Sequence, residues 1–141
     1  MKVANFLTAA AGLEDFSQAE VEAMLGQRLS RTRDAGAWIG FSAPGAGDFA
    51  GFELRSPGPT ARFGGLLIGT FPAPLPLEAL APALAARPFL RQEMNPPPMG
   101  AAVQAPTGGR WYRLGAHELA VSFRLTEPVT ATALAVHGAY P

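Results

Sequence analysis

The sequence predicts an α+β domain, an antiparallel sheet of about six strands with helices packed on one face, in the order ααβββαβββ. Three observations lead there. A helix-start signal at Ser17 precedes apolar residues at helical spacing. From Trp38 to Phe71 the pattern becomes strand-like, with turn clusters between segments. After Arg110 the alternating period returns and runs to His137. The 141 residues, 48% of them hydrophobic, suffice for one domain, 1–141, with a single core.

The elements follow in chain order. Phe6, Leu7, Ala10 and Ala11 suit a short amphipathic helix at the start. In Phe16-Ser17-Gln18-Ala19-Glu20 the Ser17 hydroxyl can accept from the Glu20 amide, and Glu20 can reach back to Ser17. Val21, Met24 and Leu25 then give an apolar stripe, which predicts a helix over 17–27. The basic run from Arg28 to Arg33 reads as a solvated helix end that complements the dipole. Strands are predicted at 38–42, 49–55 and 63–71, as a meander. The third, with Leu66-Leu67-Ile68, is apolar on both faces and belongs in the middle of the sheet. Leu77, Leu80, Ala81 and Leu84 predict a helix over about 75–87, kinked or split by Pro82. Residues 88–109, with five prolines and no clear period, read as a long Pro/Gly-rich loop. Strands at 110–114, 118–125 and 129–137 complete the sheet. No convincing internal repeat emerges, although a helix followed by three strands could occur twice.

Composition narrows the function. Eleven basic residues balance eleven acidic ones, which leaves no footprint for nucleic acid or an anionic membrane. Ten of the eleven basic residues are Arg, and Ala, Gly and Pro abound. All four types have G/C-rich codons, so the bias points to a high-GC bacterial genome rather than to phosphate recognition. Without cysteine there is no disulfide, thiolate zinc site or cysteine nucleophile. Asn5 and Thr8 interrupt the apolar N-terminal stretch, and no apolar run is long enough to span a membrane. The expected location is the cytoplasm.

The residues for catalysis do not gather. His117 and His137 lie at strand ends; were those strands neighbours, both could approach Glu118 as a metal-binding trio, although strand-end histidines are ordinarily surface residues. No Gly-x-Ser-x-Gly elbow, Walker lysine or paired-carboxylate arrangement is present. No catalytic residue, metal ligand or cofactor is therefore assigned. What remains is recognition. Arg110-Trp111-Tyr112-Arg113 combines the residue types most enriched at binding hot spots. Phe89, Arg91, Met94 and Met99 in the preceding loop join it as candidate partner contacts.

The helix-opening segment Phe16–Gly26, the sheet segment Phe49–Arg55 and the ending Trp111–Leu125 give the chain a pattern that resembles small bacterial immunity proteins. Those proteins neutralise toxins delivered by type VI or contact-dependent secretion. The Ser-x-x-Glu-Val-x-x-x-Leu-Gly helix is also similar to one in the beta-lactamase-inhibitor-protein-like fold. The resemblance implies a non-enzymatic protein that occludes a toxin's active site, and it transfers no binding residues. The chain's neutrality departs from the acidic immunity proteins of nucleases, which argues against a nuclease partner. Two other readings stand beside this one: a small-ligand or catalytic domain with a pocket near His117 and His137, and a secretion accessory or chaperone.

Overall fold

The computed structural model describes residues 1–34, 36–58, 64–97, 99–100 and 105–139. Two helices open the chain, α1 (Val3–Ala11) and α2 (Gln18–Leu25). Four strands follow: β1 (Ser30–Asp34), β2 (Trp38–Pro44), β3 (Gly51–Pro57) and β4 (Leu66–Pro76). A 3-10 turn (Leu77–Leu80) and the single-turn helix α3 (Ala81–Leu84) lead to β5 (Phe89–Met94), β6 (Thr107–Leu114), β7 (His117–Arg124) and β8 (Thr130–His137). All eight strands join one antiparallel sheet in the order β1-β2-β3-β4-β8-β7-β6-β5. It consists of two four-stranded meanders that meet at β4 and β8. The strand order of one meander repeats in the other, so the unit that repeats in the topology is four strands rather than three.

This corrects the expected architecture. The sheet has eight strands, and strand accounts for 47% of the chain against 20% helix, so the expected six strands under a layer of helices do not form. Three local reasons account for the difference. The basic run after α2 is itself a strand: in Ser30–Asp34 every residue is exposed, and one edge of the sheet needs no apolar side chain. The expected 88–109 loop begins with β5 and ends inside β6, because exposed edge residues carry no period to read. The expected 75–87 helix shrinks to the 3-10 turn and α3, since Pro82 removes a backbone donor. Pro72 and Pro74 likewise break the β4–β8 ladder between Thr70 and Leu75. The expected strand start at Phe63 lies outside the described residues.

The core follows from alternation. Phe41, Leu54, Leu67, Val136, Leu119 and Tyr112 are successive register partners from β2 to β6, so they share one face. Phe6, Leu7 and Ala10 of α1, Val21 of α2 and the loop residues Leu13 and Phe16 enter the same hydrophobic cluster. Phe49 anchors its aromatic end, with ring centroids 4.8 Å from Phe6, 5.1 Å from Phe52 and 5.5 Å from Phe71. Gly69 makes room there, because a Cβ would lie 2.7 Å from the Phe49 ring.

Polar side chains hold the helix ends in place. Ser17 caps α2 by accepting from the Glu20 amide at 3.1 Å, as its position predicts. Glu20 does not return the bond to Ser17. Its carboxylate accepts from the amides of Glu14, Asp15 and Phe16 at 2.8, 3.1 and 3.0 Å. Asp15 takes the Ser17 amide instead at 2.9 Å, and that bond holds its carboxyl below the usual range. The turn at Glu14–Phe16 thereby fixes Phe16 at φ +53°, fully buried. Asp48, in the β2–β3 turn, accepts from the Val3 amide at 2.9 Å and so caps α1 from a distance.

Replacing Glu20 with Ala should lower stability by roughly 1.5–3 kcal/mol, the scale for hydrogen bonds to a charged group. Urea unfolding checks this: a midpoint equal to the parent's would show that the three amides find other acceptors.

Candidate functional site

The opposite face of the sheet carries the other half of each alternation. Ser42, Glu53, Ile68, Ala135, Ala120 and Trp111 are successive register partners on it, followed across a bulge by Arg91. The neighbouring row runs Gly40, Arg55, Leu66, His137, Glu118, Arg113. Small side chains line β8 and β7, with Ala133 and Ala135 on the one and Ala120 and Ser122 on the other, beside Leu66 and Ile68 of β4. Long side chains rise at both flanks. Most of the face is half-exposed, whereas the core face is buried across β3, β4, β8 and β7 and opens towards β5, where Phe89 and Met94 are exposed.

Both tryptophans of the chain stand on this face. Trp38 lies on the second strand from one edge and Trp111 on the second from the other. Five inter-strand steps across the sheet and four residues along the strands place them roughly 27 Å apart. Each ring is stacked by arginine. The guanidinium carbons of Arg33 and Arg55 sit 4.1 and 4.9 Å from the Trp38 ring centre, and that of Arg91 sits 4.5 Å from the Trp111 ring. Such cation–π stacks hold the guanidinium plane and the indole in fixed relation. His137 packs on Trp111 as well, at 4.6 Å. Arg91 also bonds Glu93 at 2.7 Å and Glu118 at 3.0 Å, and Arg113 approaches Glu118 at 4.0 Å. Trp111 and His137 together form a wall between two depressions. One, of about 210 Å³, has a floor of Gly109, Ala120 and Ala135; the other, of about 440 Å³, is lined by Arg113, Glu118 and Gly138.

The eight residues singled out in the sequence divide between the two faces. Arg91, Trp111 and Arg113 stand on the uncovered face. Phe89, Arg110 and Tyr112 point the other way: Phe89 stacks edge-on against Tyr112 at 5.7 Å, and Arg110 bonds Gln92 and lies over Phe123. Met94, opposite Gly108 at the end of β5, is on that side too, and Met99 is fully exposed in the segment after β5. Sequence reasoning missed Arg33, Trp38 and Arg55, as well as the small side chains of β7 and β8. Trp38, in a strand with Phe41 on alternate parity, was the signal for the first group.

The two histidines lie on opposite faces, which dissolves the trio with Glu118. His117 is buried and hydrogen-bonded at both nitrogens. The Ala139 amide donates to its Nδ1 at 3.0 Å, so Nε2 carries the proton and donates to the Leu13 carbonyl. Phe16 packs edge-on against the ring at 5.0 Å. This imidazole ties the α1–α2 link to the end of the chain. Among the described residues no three His, Asp or Glu side chains come together to hold a metal ion. No described helix is long and apolar enough to cross a membrane.

No protein-family model, curated protein or solved structure matches this chain. Its function has to be argued from the site.

His117→Ala should cost roughly 1–3 kcal/mol, because it leaves the Leu13 carbonyl and the Ala139 amide without their partner. Thermal unfolding of the variant tests this, and an unchanged midpoint would contradict it. His137 predicts a pH dependence. Burial holds its imidazole below the usual value; Glu118 pulls it back up and Arg91 pushes it down. The unfolded chain takes up a proton near pH 6.5, where the folded chain does not. Stability should therefore fall as pH drops below about 6.5, and His137→Gln should remove that part of the slope. Parallel acid profiles of stability for parent and variant would count against it.

Proposed function

We propose that the protein is a non-enzymatic protein-binding module whose uncovered sheet face closes over the active cleft of a bacterial toxin. The observation that carries this reading is the placement of both tryptophans, each under arginine, on one face that no described helix side chain enters. Trp and Arg are the residues most often found to dominate binding energy. The dimensions suit a folded partner. Eight strands at about 4.8 Å spacing and some seven residues long span roughly 800 Å², the share each partner contributes to a standard interface. The face carries five arginines (33, 55, 91, 113, 124) against three glutamates (53, 93, 118), and neither Arg33 nor Arg124 has a carboxylate partner among the described residues. The partner that fits is therefore a folded protein with an apolar ridge and carboxylates at its margin. The toxin reading rests on the resemblance to immunity proteins, with action in the cytoplasm.

A second reading has one observation in its favour, the 440 Å³ depression beside His137. It would take a small ligand between Trp111 and Arg113. Only the His137 side of the expected pocket survives, since His117 belongs to the core.

Binding to the products of adjacent genes, measured by pull-down and calorimetry, tests the proposal. Trp111→Ala should weaken capture by about 2 kcal/mol or more, roughly thirtyfold, whereas Glu78→Ala, on the core side, should leave it unchanged. Growth of cells expressing the toxin should be rescued by the parent and not by the variant. Binding without rescue would favour a secretion accessory or chaperone, and equal loss in both variants would remove the face from the argument.

A further inference from the structure

The sheet ends in two open edges, β1 and β5, and they differ in what can pair with them. The Asn95 amide donates to the Thr107 carbonyl of β6 at 2.9 Å. In an antiparallel ladder, alternate residues turn their backbone groups to opposite sides of the strand. Glu93 and Arg91 thus face β6 with Asn95, while Gln92 and Met94 present their N–H and C=O groups outward. A strand edge of this kind is a template for another strand.

We propose that a second copy of this chain occupies it. β5 pairs antiparallel with β5 of the second copy about Gln92, and two eight-stranded sheets join edge to edge. Charge selects this register. With Gln92 opposite Gln92, Arg91 of each chain stands opposite Glu93 of the other, on the uncovered face. A slip of two residues in one direction sets Arg91 against Arg91, and in the other Glu93 against Glu93. Like charges directly opposite destabilise a pair. The same register brings Met94, 45% exposed, opposite Leu90 of the second copy. Pro96 and Pro97 lack donors and end the pairing edge just beyond Asn95.

The other edge refuses the same arrangement. A bulge between Arg31 and Arg33 already breaks the regular alternation that self-pairing of β1 would need. The β5 pair has its two-fold axis perpendicular to the sheet and repeats the relation of β4 to β8 within the chain. Both uncovered faces then look the same way, so the dimer leaves them free. This inference stands independently of the proposed function.

A six-residue edge buries less than the roughly 1,600 Å² of a standard interface, so association is expected to depend on concentration. Sedimentation equilibrium from micromolar to millimolar protein should show a monomer–dimer equilibrium. Gln92→Pro removes an outward amide and leaves the backbone ladder to β6 intact. Gln92→Ala loses the same bond from Arg110 but keeps the amide, so the proline variant should abolish the dimer while melting like the alanine variant, which dimerises. Arg91→Glu and Glu93→Arg should each weaken association roughly tenfold, and the double reversal R91E/E93R should restore it. A monomer at every concentration would overturn the proposal. So would a dimer that survives Gln92→Pro, or single reversals that associate as well as the double.

Discussion

The pairing of β4 with β8 is the contact on which the rest of the molecule depends. Each meander alone is a four-stranded sheet with half a core and one more open edge. Across the seam, Leu67 meets Val136 and Gly69 meets Leu134, which makes the hydrophobic face continuous. On the other side of the same strands, Leu66 meets His137 and Ile68 meets Ala135, which makes the uncovered face continuous. Beyond the strand ends, the Gly138 amide donates to the Gly65 carbonyl at 2.9 Å. Gly64 and Gly138 approach so closely there that a Cβ on either would collide with backbone.

Polar groups inside the fold serve to tie segments together. Glu20 gathers three amides of the α1–α2 link, and His117 clamps the carbonyl of Leu13 and the amide of Ala139. Both act near Phe16, whose positive φ and burial leave it little freedom. Gly65 at φ +97° accommodates it, since a Cβ there would lie 2.5 Å from that of Phe16. The link between the helices is thus held as firmly as the helices themselves. A histidine used in this way is committed to one tautomer and offers no free nitrogen for chemistry.

The uncovered face is organised by side-chain length. Alanine, serine and glycine keep it low over β7 and β8, Leu66 and Ile68 of β4 give it an apolar strip, and an Arg-over-Trp stack stands near each flank. Arg33, stacked on Trp38, forms no ion pair with a carboxylate among the described residues. Arg91, by contrast, is already held by two glutamates, and with Glu118 it fixes the orientation of Trp111 and His137. One end of the face is thereby preorganised around Trp111, while at the other Arg33 carries a charge with no ion-pair partner among the described residues. Preorganised aromatic anchors reduce the ordering cost of association.

Local grammar was legible in the chain by itself. The Ser17 cap, the amphipathic start at Phe6 and Leu7 and the interior position of β4 follow from spacing alone, because each is set by neighbours within a few residues. The Arg110–Arg113 segment reads in sequence as one block of four contacts, which the strand divides between its two faces. Residues 111 and 113 face out while 110 and 112 face the core, and the alternation cannot say which half is which until the strand has neighbours. β1 and β5 were illegible for a related reason: an edge strand buries little, so nothing in Arg31–Arg33 or Arg91–Glu93 needs an apolar period. Tertiary structure alone decided that β4 meets β8, that His117 and His137 part company, and that two tryptophans 73 positions apart in sequence share one surface. These depend on long-range register, which composition and short spacing do not encode.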